Sequence, residues 1–224
     1  MSTSDVYIEW PGGLAAAFWH ASAYDTSTGL AFLTERMKEF DGFKRRVSLA
    51  ATDINTGEVL TFGDHNIEWS ELPQAVLASA SVPGFFPPQS FKGHFLVDGM
   101  TAWNTNAQQA IDRCREIVEH DRDIIIDVIT IGVSDDQKEI VETGHTSSNF
   151  LRSRNIKSAH NGGDALDEQI RSHPDIYWRH KIMEVDGHVT GMNELNFEPE
   201  ITKPLQEQGK KDALAAIQKL KNNQ

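Results

Sequence analysis

The run Ile124-Ile125-Ile126-Asp127-Val128-Ile129-Thr130-Ile131 leaves this chain few ways to fold. It is too short to cross a bilayer, and an aspartate interrupts it. A continuous β-branched run suits a strand of a parallel sheet covered on both faces, so residues 123–133 are read as such a buried strand. Strands of that kind need helices between them, and the chain supplies helical patterns on both sides. An α/β architecture with a largely parallel sheet is therefore expected.

The remaining elements follow from local signals. Trp10-Pro11-Gly12-Gly13 is a turn, followed by an Ala-rich apolar stretch through Trp19. After the polar break at Asp25-Thr26-Ser27-Thr28-Gly29, Leu30 to Phe40 reads as a helix with Leu30, Leu33 and Met37 on one face. Residues 45–53 and Val59 to Phe62 flank the turn Asn55-Thr56-Gly57 and predict a β-hairpin. A helix starts at Ser70-Glu71-Leu72-Pro73, with Ser70 as its cap, and runs to about Ala80. Val82 to Pro88 is a proline-punctuated loop. Phe95-Leu96-Val97 is a short strand ending at Asp98-Gly99. Residues 105–119 form an amphipathic helix, residues 147–172 are helical with a break at Asn161-Gly162-Gly163, and residues 175–200 are strand-like and irregular. A terminal helix over 204–221 turns Leu205, Leu214, Ile217 and Leu220 inward.

Composition excludes several functions. The formal charge of −12 repels phosphate backbones, so nucleic acid is not an expected partner. The same charge opposes docking on anionic lipid through a polybasic patch. An apolar cleft can still bind an ester. One cysteine, Cys114, permits no intramolecular disulfide and fits a reducing compartment. With no basic n-region or apolar h-region at the start and no transmembrane run, cytoplasmic residence is expected. The nine histidines form no H-E-x-x-H and there is no cysteine pair, so neither a zinc site nor any other metal or cofactor is expected. Asp53-x-Asn55-x-Gly57 is a hairpin turn and not a calcium loop, since its glycine stands one position early and no Glu follows at the twelfth place.

The chemistry concentrates in residues 43–113. A hairpin strand ends in Thr52-Asp53. A helix then ends in Ala78-Ser79-Ala80-Ser81-Val82-Pro83-Gly84-Phe85-Phe86-Pro87-Pro88. A strand ends in Asp98-Gly99-Met100, and Asn104-Thr105-Asn106-Ala107 opens a helix. In order and spacing this series resembles the patatin-like phospholipase family, over about residues 5–135. Asp25-Thr26-Ser27 before a Leu-bearing helix is a further similarity. The resemblance implies a three-layer α/β/α sandwich and a serine–aspartate dyad, with Asp98 as the dyad base. Gly99 completes the Asp-Gly motif. In such a dyad the aspartate takes the serine proton, the hydroxyl attacks an ester carbonyl, and water later releases the acyl-enzyme. Independently of any family, a base belongs at the C-terminal end of a sheet strand. A glycine directly after it frees the backbone to turn sharply, a positive φ being one of the conformations open to it.

The chain departs from that family at three points. Met100 stands where a small residue is usual, and Asn106 replaces a proline. No G-x-S-x-G elbow is present. Gly132-Val133-Ser134-Asp135-Asp136 lacks the closing glycine and follows Asp98, while Ser79 and Ser81 read as helix-end hydroxyls that satisfy the backbone. Gly12-Gly13 is too short for an oxyanion loop. Residues 1–224 are therefore read as a single, incomplete patatin-like domain that begins downstream of the oxyanion loop and the elbow, with 136–224 as its helical and irregular C-terminal part. The expected function is that of a lipid acyl-ester hydrolase of phospholipase type, of which this chain retains the aspartate half. Its partner is a lipid or acyl-ester substrate. The alternative is a non-catalytic remnant that binds acyl chains or a partner protein. An incomplete sheet also predicts self-association through an exposed edge.

Overall fold

Asp53 shapes the first hairpin of the chain. In the computed structural model its Oδ1 accepts the Asn55 N–H at 2.9 Å, and its carbonyl accepts the Gly57 N–H at 2.8 Å, with Gly57 at φ +76°. The turn reverses β3 (Ser48–Asp53) into β4 (Val59–Gly63). The structure describes residues 8–9, 24–102, 106–130, 165–183 and 199–222. They fall into two units, Met1–Gln109 and Ala110–Gln224.

In the first unit, β1 (Ile8–Glu9) pairs antiparallel with β2 (Tyr24–Asp25). Helix α1 spans Ser27–Met37, beginning three residues before the predicted start. Asp25 sets that start by accepting the Ser27 N–H at 2.8 Å. A second hairpin joins β5 (Gln89–Phe91) to β6 (His94–Asp98) through Lys92-Gly93, with φ of 49° and 84°. Two successive positive φ values make the tight turn whose twist suits a hairpin. Sequence alone places a loop before Phe95 and misses β5, which is too short for a period-2 pattern.

These strands form one sheet, in the order β4-β3-β6-β5, and every pairing is antiparallel. The expected largely parallel sheet is not what this unit builds. Strands joined by a turn of a few residues must run antiparallel, because a parallel pair needs a crossover of about a dozen residues or more. Helix α2 (Leu72–Ser79) packs against β3, β5 and β6. Its entry corrects the Ser70 cap: a 3-10 turn over Trp69–Glu71 comes first, and the Glu71 carboxylate accepts the Glu68 N–H at 2.9 Å. Ala51, Phe62, Ile67, Leu72, Ala75, Ala78, Phe91 and Leu96 form the core between helix and sheet. Phe62 meets Phe91 edge-to-face at 5.1 Å. Burying Leu96 or Val97 fully contributes about 2 kcal/mol each.

The second unit begins within helix α3 (Ala107–Arg115). Strand β7 (Ile125–Thr130) pairs with β8 (Tyr177–Met183), and this pair is parallel, as the apolar run predicts. A bulge between Ile126 and Asp127 leaves Arg179 outside the register, and its guanidinium makes a two-pronged ion pair with Asp127. Ile111, Ile124, Ile126, Val128, Ile176 and Leu166 of α4 (165–172) form the core. The expectation of two covered faces fails here: Ile125 is 52% exposed and Ile129 73% exposed. Helix α5 (Pro199–Asn222) contains the predicted terminal helix. Leu214 and Ile217 nevertheless stand 65% and 44% exposed and do not turn inward as predicted. Helices and sheets together make the chain α/β. The predicted break at 161–163, the strand-like residues 184–198 and Ser134 lie outside the described residues.

Candidate functional site

β6 carries Asp98 to the end of its ladder. The last pairs with β3 are Asp53↔Leu96, Thr52↔Val97 and Ala51↔Asp98. The neighbours Leu96 and Val97 are fully buried, which fixes where the strand ends and which way Asp98 points. Asp98 itself is half-buried. Its N–H donates to the Ser81 carbonyl at 2.9 Å. Its Oδ1 accepts the Met100 N–H at 2.8 Å, which caps a 3-10 turn over Gly99–Thr101. The backbone of Asp98 is therefore tied to Ser81, and its carboxylate to the Met100 N–H.

Gly99 is required for a different reason from the predicted one. Its φ lies outside the left-handed region. A Cβ at this position would stand 2.6 Å from the Ala50 oxygen and 2.9 Å from the Ala50 carbonyl carbon, closer than such atoms approach. The glycine is needed for close approach and not for an unusual dihedral. Thr52 Oγ1 donates to the Gly99 carbonyl at 3.4 Å, a long contact. Met100 is half-buried beside it.

Both helix-end serines are engaged. Ser81 Oγ, fully buried, donates to the Leu77 carbonyl at 2.7 Å, a bond back into its own helix. Ser79 Oγ donates to the Ala50 carbonyl at 2.7 Å. That bond reaches across to β3, which the sequence reading of a local hydroxyl does not foresee. At the next helix, Asn106 Oδ1 accepts the Gln109 N–H at 3.3 Å and caps α3. Asn104 and Thr105 lie outside the described residues.

A second polar pair, absent from the sequence reading, lies at the other end of β6. His94 Nδ1 stands 2.7 Å from Asp53 Oδ2, with the Asp53 side chain 6% exposed and the His94 side chain 38% exposed. The bond from His94, followed by the Asn55 N–H, holds the Asp53 carboxyl below its ordinary value. The signal was the "TD" strand end followed by a polar residue opening the facing strand, but only the register pairs them. Among the described residues no group of three His, Cys, Asp or Glu side chains could hold a metal ion, and no helix is long and apolar enough to cross a membrane.

Residues 11–111 match the family model described as Patatin-like phospholipase. This segment, less than half of the chain, is similar to that family. The match takes in the hairpin, α2, the Asp98–Gly99 turn and the start of α3. The patatin-like family is one of lipid acyl hydrolases, and its resemblance here rests on the segment that holds the strand-end carboxylate. No curated protein matches the chain.

Proposed function

We propose that the patatin-like segment provides the aspartate half of a lipid acyl-ester hydrolase site, with Asp98 as the base and Gly99 as the residue that lets the turn close behind it. The supporting observation is the fixed strand-end carboxylate: two fully buried neighbours hold the strand, and the Met100 N–H holds Oδ1. A base held this way pays little reorganisation when it takes a proton. In the full dyad it would accept a serine hydroxyl proton as the oxygen attacks the ester carbonyl. Water would then release the acyl group. The substrate class is a phospholipid or related acyl ester, bound in a cleft without metal or cofactor, in the cytoplasm. In this reading residues 1–224 are one acyl-hydrolase domain that lacks the oxyanion loop and the elbow.

One observation favours the second reading, a non-catalytic chain that binds acyl groups or a partner protein. The two helix-end serines, Ser79 and Ser81, both direct their hydroxyl protons to carbonyls, so neither is poised as a nucleophile. Self-association belongs to either reading, because β4 and β5 are outer strands with one neighbour each among the described residues.

Hydrolysis of p-nitrophenyl butyrate by the purified chain and by Asp98→Asn separates the two. Residues 1–224 contain no G-x-S-x-G, so in this reading the carboxylate activates water. The rate is then expected to sit on the order of 10⁴–10⁶-fold below that of an intact serine hydrolase, and to drop to background in Asp98→Asn. Equal rates in the two proteins would remove Asp98 as the base and leave binding.

A further inference from the structure

The Ala50 carbonyl occupies a singular place in the first unit. The β3–β6 ladder ends at Ala51↔Asp98, so Ala50 lies one residue beyond it, where the chain leaves the sheet at Gly99. Its oxygen is the atom against which Gly99 packs, 2.6 Å from where a Cβ would be. A carbonyl just past the end of a ladder still needs a donor when the chain closes over it. That donor is the Ser79 hydroxyl, at 2.7 Å, from the last residue of α2.

Among the described residues, the other bonds given for the turn have a backbone N–H as donor, or are long. Asp98 N–H reaches the Ser81 carbonyl at 2.9 Å, Met100 N–H reaches Asp98 Oδ1 at 2.8 Å, and Thr52 Oγ1 approaches the Gly99 carbonyl only to 3.4 Å. Ser79 thus supplies the short side-chain bond that ties the helix end to the atom under the turn. Ser81, two residues on, sends its hydroxyl back to Leu77 and does not share this role.

We propose that Ser79 is a positioning residue for the Asp98 carboxylate, acting through the Ala50 carbonyl on which the Asp98–Gly99 turn rests. The proposal builds on the reading of Asp98 as the base, but its consequence can be read without any turnover. Losing the Ser79 hydroxyl frees the Ala50 oxygen to move toward a new donor, and the turn resting on it shifts. The Met100–Asp98 bond then loosens, while the fold itself survives on its core.

The Met100 amide reports this directly, since its proton shift follows ionisation of the carboxylate it donates to. In an NMR pH titration of the whole chain, the Met100 step is expected to fall to about half its size in Ser79→Ala, as a charge-assisted bond weakens. Ser79→Thr, which keeps a hydroxyl, should restore it. Ser79→Cys, whose thiol is a weak donor, should resemble Ser79→Ala and serves if the alanine variant does not fold. A full-sized step with an unshifted midpoint in Ser79→Ala or Ser79→Cys would overturn the proposal, whatever happens to the melting temperature. Because no ester is present, this outcome is independent of whether Asp98 proves to be a base.

Discussion

In the first unit β6 buries Leu96 and Val97 completely, whereas in the second unit β7 buries Ile126 and Val128 but leaves Ile125 and Ile129 half exposed or more. The ion pairs differ in the same sense. Asp53, paired with His94, has a side chain only 6% exposed, while Asp127 and Arg179 are 37% and 42% exposed. In the first unit's four-stranded sheet, β3–β4 and β5–β6 are joined by short turns with their own chemistry, at Asp53–Gly57 and Lys92-Gly93, and the two hairpins then meet through β3 and β6. The second unit's strands pair across 52 residues, as Asp127 and Arg179 show. Local turn chemistry fixes a register, and a fixed register decides which side chains are covered. A parallel pair has no such local device.

The largest expected effect tests this contrast in burial. Leu96→Ala should destabilise the first unit by about 3 kcal/mol, as a fully buried leucine lost to a cavity. Ile129→Ala should cost about 0.5 kcal/mol or less, as an exposed substitution does. Urea midpoints of the two variants check both. An equal loss at Ile129 would mean that its face is covered, and the contrast would break. Gly99→Ala comes next, at about 2 kcal/mol, because the new methyl must displace the Ala50 carbonyl. A neutral Gly99→Ala in the same assay would refute the close approach.

The third effect depends on pH. The folded-state pKa of Asp53 is depressed from its ordinary 3.8 by His94 and the Asn55 N–H. The unfolded chain therefore binds the proton more readily. The pair's contribution is present above that ordinary value and is lost as pH falls through the lower, folded one. Urea midpoints measured from pH 6 down to pH 2 should fall for the native chain and fall less steeply below about pH 4 for Asp53→Asn. Parallel curves would show that the pair carries no linkage. The smallest effect is at Lys92, which adopts φ 49° in the hairpin turn. Lys92→Asn should stabilise by roughly 0.5 kcal/mol, since asparagine visits that region readily. Loss of the solvent-exposed Glu71 contact at 3.0 Å subtracts little. A lowered midpoint would assign more to that contact than its exposure suggests.

How much the sequence revealed follows the same division. The hairpin at Asn55-Thr56-Gly57, the helix near Leu72, the strand end at Asp98 and the parallel character of the apolar run were all legible, because each rests on a local pattern. Strand β5 was not, since Pro87-Pro88 signals a loop and three residues show no period. The turn at Gly99 was legible but its cause was not, because close approach and a positive φ leave the same glycine in the sequence. Ser79 and His94 could not be assigned their partners, for Ala50 and Asp53 meet them only once the register of β3 on β6 and the end of α2 are set. The inward face assigned to α5 failed at Leu214 and Ile217 because helical periodicity gives a stripe but not the surface that should cover it.

The most direct measurement is the pH–rate profile of p-nitrophenyl butyrate hydrolysis, taken beside the Met100 amide titration on the same protein. With Asp98 as the base, the small rate should rise along a limb whose midpoint coincides with that of the Met100 step, and the limb should be missing in Asp98→Asn. A profile without that limb, or one that Asp98→Asn reproduces, would contradict the assignment of Asp98 as the hydrolytic base.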